Sequence, residues 1–146
     1  MKYSIWLASL LLFLFVGCKK EADVKGITGI YNQEFKATFF AATKHQINFI
    51  NGNNFEMKLE RISDMVDTPN TVCKSNRTDY VKGTYTVSGN IIQFTGKYCD
   101  ENYNELKPMC DGTTDYTTEY NFKRNGSFLI LDFNKDENHQ IWLKPD

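Results

Sequence analysis

Three stretches of the chain alternate apolar and polar residues around a turn. In "TYTVSGNIIQFTG" and just before it, Val81, Gly83, Tyr85 and Val87 alternate with Lys82, Thr84 and Thr86. Past Ser88-Gly89, Ile92, Phe94, Gly96 and Tyr98 alternate with Gln93, Thr95 and Lys97. A period of two marks a half-buried strand. A two-residue turn at Ser88-Gly89 pairs Tyr85 with Ile92 and Gly83 with Phe94, which puts all four on one face. In "EYNFKRNGSFLILDF" the dipeptide Asn125-Gly126 is a strong hairpin signal, and it pairs Phe122 with Leu129 and Tyr120 with Leu131. In "NFINGNNFEMKL" a three-residue turn at Asn51-Gly52-Asn53 pairs Phe49 with Phe55 and Ile47 with Met57. A two-residue turn there would set apolar residues against charged ones, so the longer turn is preferred.

Two further strands fit the ends of this pattern. "GITGIYN" places Ile27, Gly29 and Tyr31 on one side, and "HQIWLKP" supplies a last strand ending at Pro145. No segment after the first 26 residues has a convincing helical period; Phe35 to Thr43 is the least defined stretch and has room for one turn of helix. Eight strands result. Tight turns join strands two and three, four and five, and six and seven. Longer links fall at about residues 34–45, 62–78, 99–113 and 134–139. In an up-and-down order, alternate links lie at the same end, so every tight turn falls at one end and every long loop at the other. Closing the sheet removes both exposed edges. The expected fold is therefore all-β: an eight-stranded antiparallel up-and-down barrel, with room inside for side chains or one small ligand.

The start of the chain follows a different rule. Met1, Lys2 and Tyr3 precede an apolar block from Ile5 to Val16, about a dozen residues. A bilayer-spanning helix needs about 20 apolar residues; this block has the length and positive start of a secretory signal. Lys19, Lys20, Glu21 and Asp23 then end it without an amphipathic pattern. Val16-Gly17-Cys18 resembles the bacterial lipobox, with Phe15 where that motif usually carries Leu. The resemblance implies cleavage after Gly17, a diacylglyceryl thioether on Cys18 and acylation of the new amine, palmitate in kind. Several acyl chains anchor a protein stably where one does not. Residues 1–17 are thus read as a lipoprotein signal peptide, 18–26 as a lipidated tether and 27–146 as the barrel domain. The expected partner is the lipid bilayer, through Cys18. The expected place is the cell envelope, as an outer-membrane lipoprotein facing the periplasm or the cell surface.

Composition agrees with one small domain. Cleavage leaves 129 of the 146 residues, an ordinary domain length. Lys2 is the leader's one charged residue, so 16 of the 17 basic side chains remain against 18 acidic ones, a formal charge of −2. No strong field draws the domain to nucleic acid. Phe, Tyr and Thr are plentiful after the leader, as strands favour.

The order of strands, the early Gly29-Ile30-Tyr31 and the later Gly83-Thr84-Tyr85 resemble the lipocalin-like lipoproteins of Bacteroidota. Gly29-x-Tyr31 is similar to the lipocalin Gly-x-Trp, with Tyr31 in place of Trp; no arginine near the C-terminus is placed to cover that ring, and Lys144 is the nearest cation. The resemblance spans roughly residues 27–144 and implies a lipocalin-like barrel.

The inward-facing set is Phe49, Phe55, Met57, Tyr85, Ile92, Phe94, Tyr120, Phe122, Leu129 and Leu131. It is either the wall of a cavity for a small hydrophobic or aromatic molecule or a filled core. His45 and Arg61 share the inward parity near the long-loop end, where an arginine could receive an anionic group. The ligand-binding candidates are Phe49, Phe55, Met57, Arg61, Tyr85, Ile92, Phe94, Tyr120 and Leu131. With His139 the one other histidine, no nucleophile, base and orienting group can be assembled, and the chain is not expected to be an enzyme. No cofactor is expected. Asp132, Asn134, Asp136 and Asn138 alternate faintly like a calcium loop, but Glu137 and Leu143 stand where that loop needs Gly and Glu. Cys73, Cys99 and Cys110 lack the spacing of a zinc site. In an oxidising compartment two of them should pair, and Cys99–Cys110, which closes the shortest loop, is slightly favoured. The expected function is capture of a small hydrophobic or aromatic ligand in or near the barrel mouth. The alternative is a protein-interaction or inhibitor module that uses the long loops above a filled interior.

Overall fold

The computed structural model describes residues 27–34, 41–132 and 140–146. Leader, tether, Cys18, His139 and the calcium-like stretch after Asp132 lie outside the described residues. The eight strands are β1 (Gly29–Gln33), β2 (Ala41–Ile50), β3 (Asn54–Ser63), β4 (Arg77–Ser88), β5 (Ile91–Cys99), β6 (Asp115–Asn125), β7 (Phe128–Asp132) and β8 (Gln140–Pro145). Each pairs antiparallel with the next, and β8 returns to β1, so the sheet is a closed up-and-down barrel. At the seam Tyr31 lies opposite Pro145 and Gln33 opposite Leu143. Asp146 N–H donates to the Ile30 carbonyl at 3.0 Å, and Asn32 donates its amide to the Asp146 carboxylate. Closure gives every strand a neighbour on each side. Ala41 to Thr43 is strand, and the remainder of the suggested helical turn, 35–40, lies outside the described residues.

The β2–β3 hairpin has the expected register: Phe49 opposes Phe55 and Ile47 opposes Met57 around Asn51-Gly52-Asn53. Gly52 and Asn53 both take positive φ, 78° and 65°, which Gly and Asn tolerate best. The other two hairpins differ from expectation by two residues. Tyr85 faces Phe94, Val87 faces Ile92, and Gly83 faces Gly96. Phe122 faces Leu131, and Leu129 faces Arg124. The turns are Gly89-Asn90 and Gly126-Ser127, each with glycine first and at φ 60°. A type II′ turn demands glycine at that first central position. A two-residue slip keeps side chains on the same face, so the inward set is unchanged.

One close approach shapes the wall. A Cβ on Gly83 would stand 2.1 Å from the Thr95 carbonyl oxygen, and one on Gly96 would stand 2.3 Å from that of Lys82. Only glycine at both positions lets β4 and β5 meet this closely. Phe55 lies beside Gly83 across β3 and Tyr116 beside Gly96 across β6.

The barrel interior divides along its axis. Nearest the tight turns it is aromatic. Phe49, Phe55, Tyr85 and Phe94 pack edge-on or tilted, with ring centroids from 4.9 to 6.2 Å apart. Tyr31 and Tyr120 extend the cluster to β1 and β6. Such pairs add about 0.5–1.5 kcal/mol each beyond their buried area. Ile27, just before β1, is buried in the same core. Towards the long loops the inward residues become polar: Gln33, His45, Arg61, Arg77, Asp79, Tyr98 and Tyr116.

Candidate ligand-binding site

Eight of the nine candidate ligand residues (Phe49, Phe55, Met57, Tyr85, Ile92, Phe94, Tyr120 and Leu131) are 0–6% exposed and belong to one buried cluster. They are neighbours, as their parity demands, and they pack on one another. The ninth, Arg61, stands apart at the loop end.

Arg61 on β3 lies directly opposite Arg77 on β4. Like charges facing each other across a ladder repel. Asp79, two residues along β4 and on the same inward face, lies between them: Arg61 Nε donates to its carboxylate at 2.8 Å and Arg77 Nε at 3.2 Å. Asp79 is 8% exposed, against 32% for Arg61 and 23% for Arg77. Arg77 Nη1 also donates to the Lys74 carbonyl.

His45 completes this layer from β2. Its backbone N–H donates to Gln33 Oε1 at 2.9 Å, which identifies that atom as the amide oxygen. His45 Nδ1, 3.0 Å from the same oxygen, must then carry its proton, and Nε2 holds the lone pair. Burial, aided by the nearby Arg61 charge and opposed by the Thr43 carbonyl, pulls the imidazole down to about 4. The ring is therefore neutral at pH 7. Tyr98 and Tyr116 stack edge-on at 5.8 Å, and burial pushes both phenols up. Tyr116 donates to Met57 Sδ at 3.5 Å, joining the polar layer to the core beneath.

Beside the polar layer a half-open cleft of about 550 Å³ lies between residues 77–80, 98–102 and 107–110. Its outer wall is the β5–β6 loop, which folds back on the barrel. Asp100 organises that loop by accepting from the N–H groups of Asn104 and Glu105 at 2.7 and 3.1 Å. Lys82 reaches from β4 to the Tyr103 and Asn104 carbonyls at 2.6 and 2.9 Å. Tyr103 is half-buried against Tyr80, with centroids 5.6 Å apart, and burial pushes its phenol up to about 12.

The disulfide joins Cys73 to Cys110 and not Cys99 to Cys110. Cys99 ends β5 with its side chain on the outer face, bridged to Leu106 and covered by the loop. Burial pushes its thiol up, so it is a weak nucleophile. Cys73 and Cys110 instead sit on two separate long loops and staple them together at the cleft. Among the described residues no cluster of three His, Cys, Asp or Glu side chains could hold a metal ion.

Sequence reasoning singled out Arg61 and His45, placed Tyr98 on the inward face without a role, and missed Arg77 and Asp79. Extending the Val81–Tyr85 alternation back along the strand reaches Asp79 and then Arg77. An arginine does share the surroundings of Tyr31, but it is Arg124 of the β6–β7 hairpin, which lines the same small recess at the tight-turn end. No family model, no curated protein and no solved structure matches the chain.

Proposed function

We propose that this protein is a lipid-anchored, non-enzymatic binding protein of the bacterial cell envelope, lipocalin-like in kind, that captures a small aromatic or amphipathic molecule at the loop end of its barrel. The observation that carries this reading is the 550 Å³ cleft at the stapled end. Its volume falls in the range of small-molecule sites, and Tyr80, Tyr98, Pro108 and Met109 give it aromatic and apolar surface among the charged side chains of Arg77, Asp79, Asp100, Glu101 and Lys107. The disulfide between Cys73 and Cys110 holds together the two long loops at this end. Residue 27 enters the barrel at the tight-turn end, beside the turn at 51–53. An anchor at Cys18 would therefore attach, through residues 18–26, to the end of the barrel opposite the cleft.

Native mass spectrometry of the protein purified from its own cells tests this reading. A retained adduct of small-molecule mass supports it. Loss of the adduct after Tyr98→Ala, with the fold intact by circular dichroism, places the molecule in the cleft. Absence of any adduct from freshly purified protein counts against it. For the anchor, Cys18→Ala is expected to move the protein from the membrane fraction to the soluble one; persistent membrane association refutes lipidation.

A second reading is favoured by a separate observation. Met65, Val66 and Val72 on the β3–β4 loop are 70, 91 and 75% exposed, at the same end of the barrel. Exposed apolar side chains grouped on a stapled loop suit contact with a protein partner, as an interaction or inhibitor module requires. Pull-down of a discrete partner that Val66→Asp and Met65→Asp abolish would support that reading over ligand capture.

A further inference from the structure

Resting on the second reading, that the β3–β4 loop meets a protein partner, we infer that the partner is an endopeptidase and that this loop enters its active-site cleft as an inhibitor, with the Met65–Val66 bond presented for attack.

Every residue from 64 to 70 is exposed, and 64–68 forms neither helix nor strand. Such a segment projects, so a concave cleft can surround it, whereas a flat surface would cover only one side. Val66 is its most exposed apolar side chain and Met65 stands next to it. The carbonyls of Asp64 to Asp67 and the Val66 N–H pair with no described residue. They are open to strand-like pairing along a cleft, whose pockets take the side chains.

Both flanks of the Met65–Val66 bond are tied down. On one side Met65 N–H donates to Ser63 Oγ at 3.1 Å. Ser63 is itself held by Asn76, whose Oδ1 accepts from its N–H at 2.8 Å and whose Nδ2 donates to its carbonyl at 2.9 Å. On the other side Asp67 accepts from the Ser75 N–H and hydroxyl at 2.9 and 2.6 Å. Thr71 N–H then closes a turn onto the Thr68 carbonyl at 3.0 Å, across Pro69-Asn70. Proline suits that first central position. Cys73, bonded to Cys110, ties the returning chain to the neighbouring loop. These ties bury no apolar core. They fix an exposed chain in one shape, which lowers the entropy lost on binding.

The same ties oppose cleavage. At a serine peptidase the nucleophile displaces the Val66 amine from the Met65 carbonyl and forms an acyl-enzyme ester. Here Asp67 and the Cys73 bridge keep that amine beside the ester. It attacks the ester, re-forms the amide and releases the enzyme's hydroxyl with its proton. A free peptide would lose the amine end to solvent before this could happen.

Subtilisin, a serine endopeptidase that accepts apolar side chains, tests this with the intact purified protein. Turnover of a chromogenic peptide gives the inhibition constant, and mass spectrometry follows cuts within 64–70. Competitive inhibition is expected, with the loop cut at least roughly tenfold more slowly than in Cys110→Ser, which lacks the bridge. Met65→Asp and Val66→Asp should each weaken inhibition at least roughly tenfold, at unchanged melting temperature because both side chains are exposed. No inhibition, inhibition that both aspartate variants leave unchanged, or equal cutting of the wild type and Cys110→Ser overturns the inference. If Val66→Asp still abolishes a pulled-down partner, contact through the loop stands and only the peptidase falls; if it abolishes none, the second reading falls too. Should Cys110→Ser fail to fold, Asn76→Ala, which removes both bonds to Ser63, supplies the loosened loop.

Discussion

His45 should make this protein acid-sensitive by a calculable amount. The native ring is neutral, held near a pKa of about 4 chiefly by burial, while in the unfolded chain an imidazole titrates near 6.5. Between these values the unfolded state binds a proton that the folded state refuses. Stability therefore falls as pH drops through that window, and the full contribution is retained above about 6.5. At about pH 5 the unfolded imidazole is almost wholly protonated and the folded one is about one-tenth so. The difference destabilises the fold by about 2 kcal/mol relative to pH 7.5. The limit below both values is about 3 kcal/mol. His45→Gln keeps a neutral polar side chain at the position and removes the titration. Urea unfolding of both proteins at about pH 7.5 and 5 gives the readout. Carboxylates titrate in both, so their effect cancels in the comparison. The wild type is expected to lose about 2 kcal/mol more than the variant over this interval. Parallel loss in the two proteins would refute the buried, neutral ring.

Three other outcomes follow from the same geometry. Cys110→Ser opens a loop of 37 residues' separation and should cost roughly 3–4 kcal/mol by loop entropy, while Cys99→Ser leaves the bridge intact; a non-reducing peptide map that shows Cys99 bonded to Cys110 would contradict the structure. Gly83→Ala forces a Cβ against the backbone of β5 and should destabilise by about 3 kcal/mol or more, whereas Gly89→Ala, with nothing near its Cβ, should cost only the strain of its positive φ, about 1 kcal/mol; thermal unfolding separates the two. Asp79→Asn removes the charge between two arginines and should cost about 2–3 kcal/mol by chemical denaturation.

Period-two alternation is legible because most strands here have one face on the core and one on water; β7 is the exception, with Ile130 buried on the outer face. That pattern is blind to a slip of two residues. Hence Tyr85, Phe94, Phe122 and Leu131 were all assigned to the correct face, while two of the three hairpin registers were displaced. Glycine at the first central position of each turn resolves the ambiguity, and it can be read only once the turn type is known. The β2–β3 turn escaped the error because only a three-residue loop sets apolar against apolar. The disulfide was misjudged for a related reason. Loop entropy favours the nearer pair, but Cys99 is held in the ladder opposite Tyr80 with its side chain directed outward. The polar layer was half legible. Arg61 followed from parity, but its meaning depends on Arg77 and Asp79, which become its neighbours only through the β3–β4 register.

Mapping the 1-anilinonaphthalene-8-sulfonate site by amide chemical shifts tests the central claim most directly. Binding at the loop end predicts shifts concentrated at residues 77–81, 98–102 and 107–110, with the turns at Gly52, Gly89 and Gly126 unmoved. Shifts centred on those turns, or spread evenly over the barrel, would contradict it.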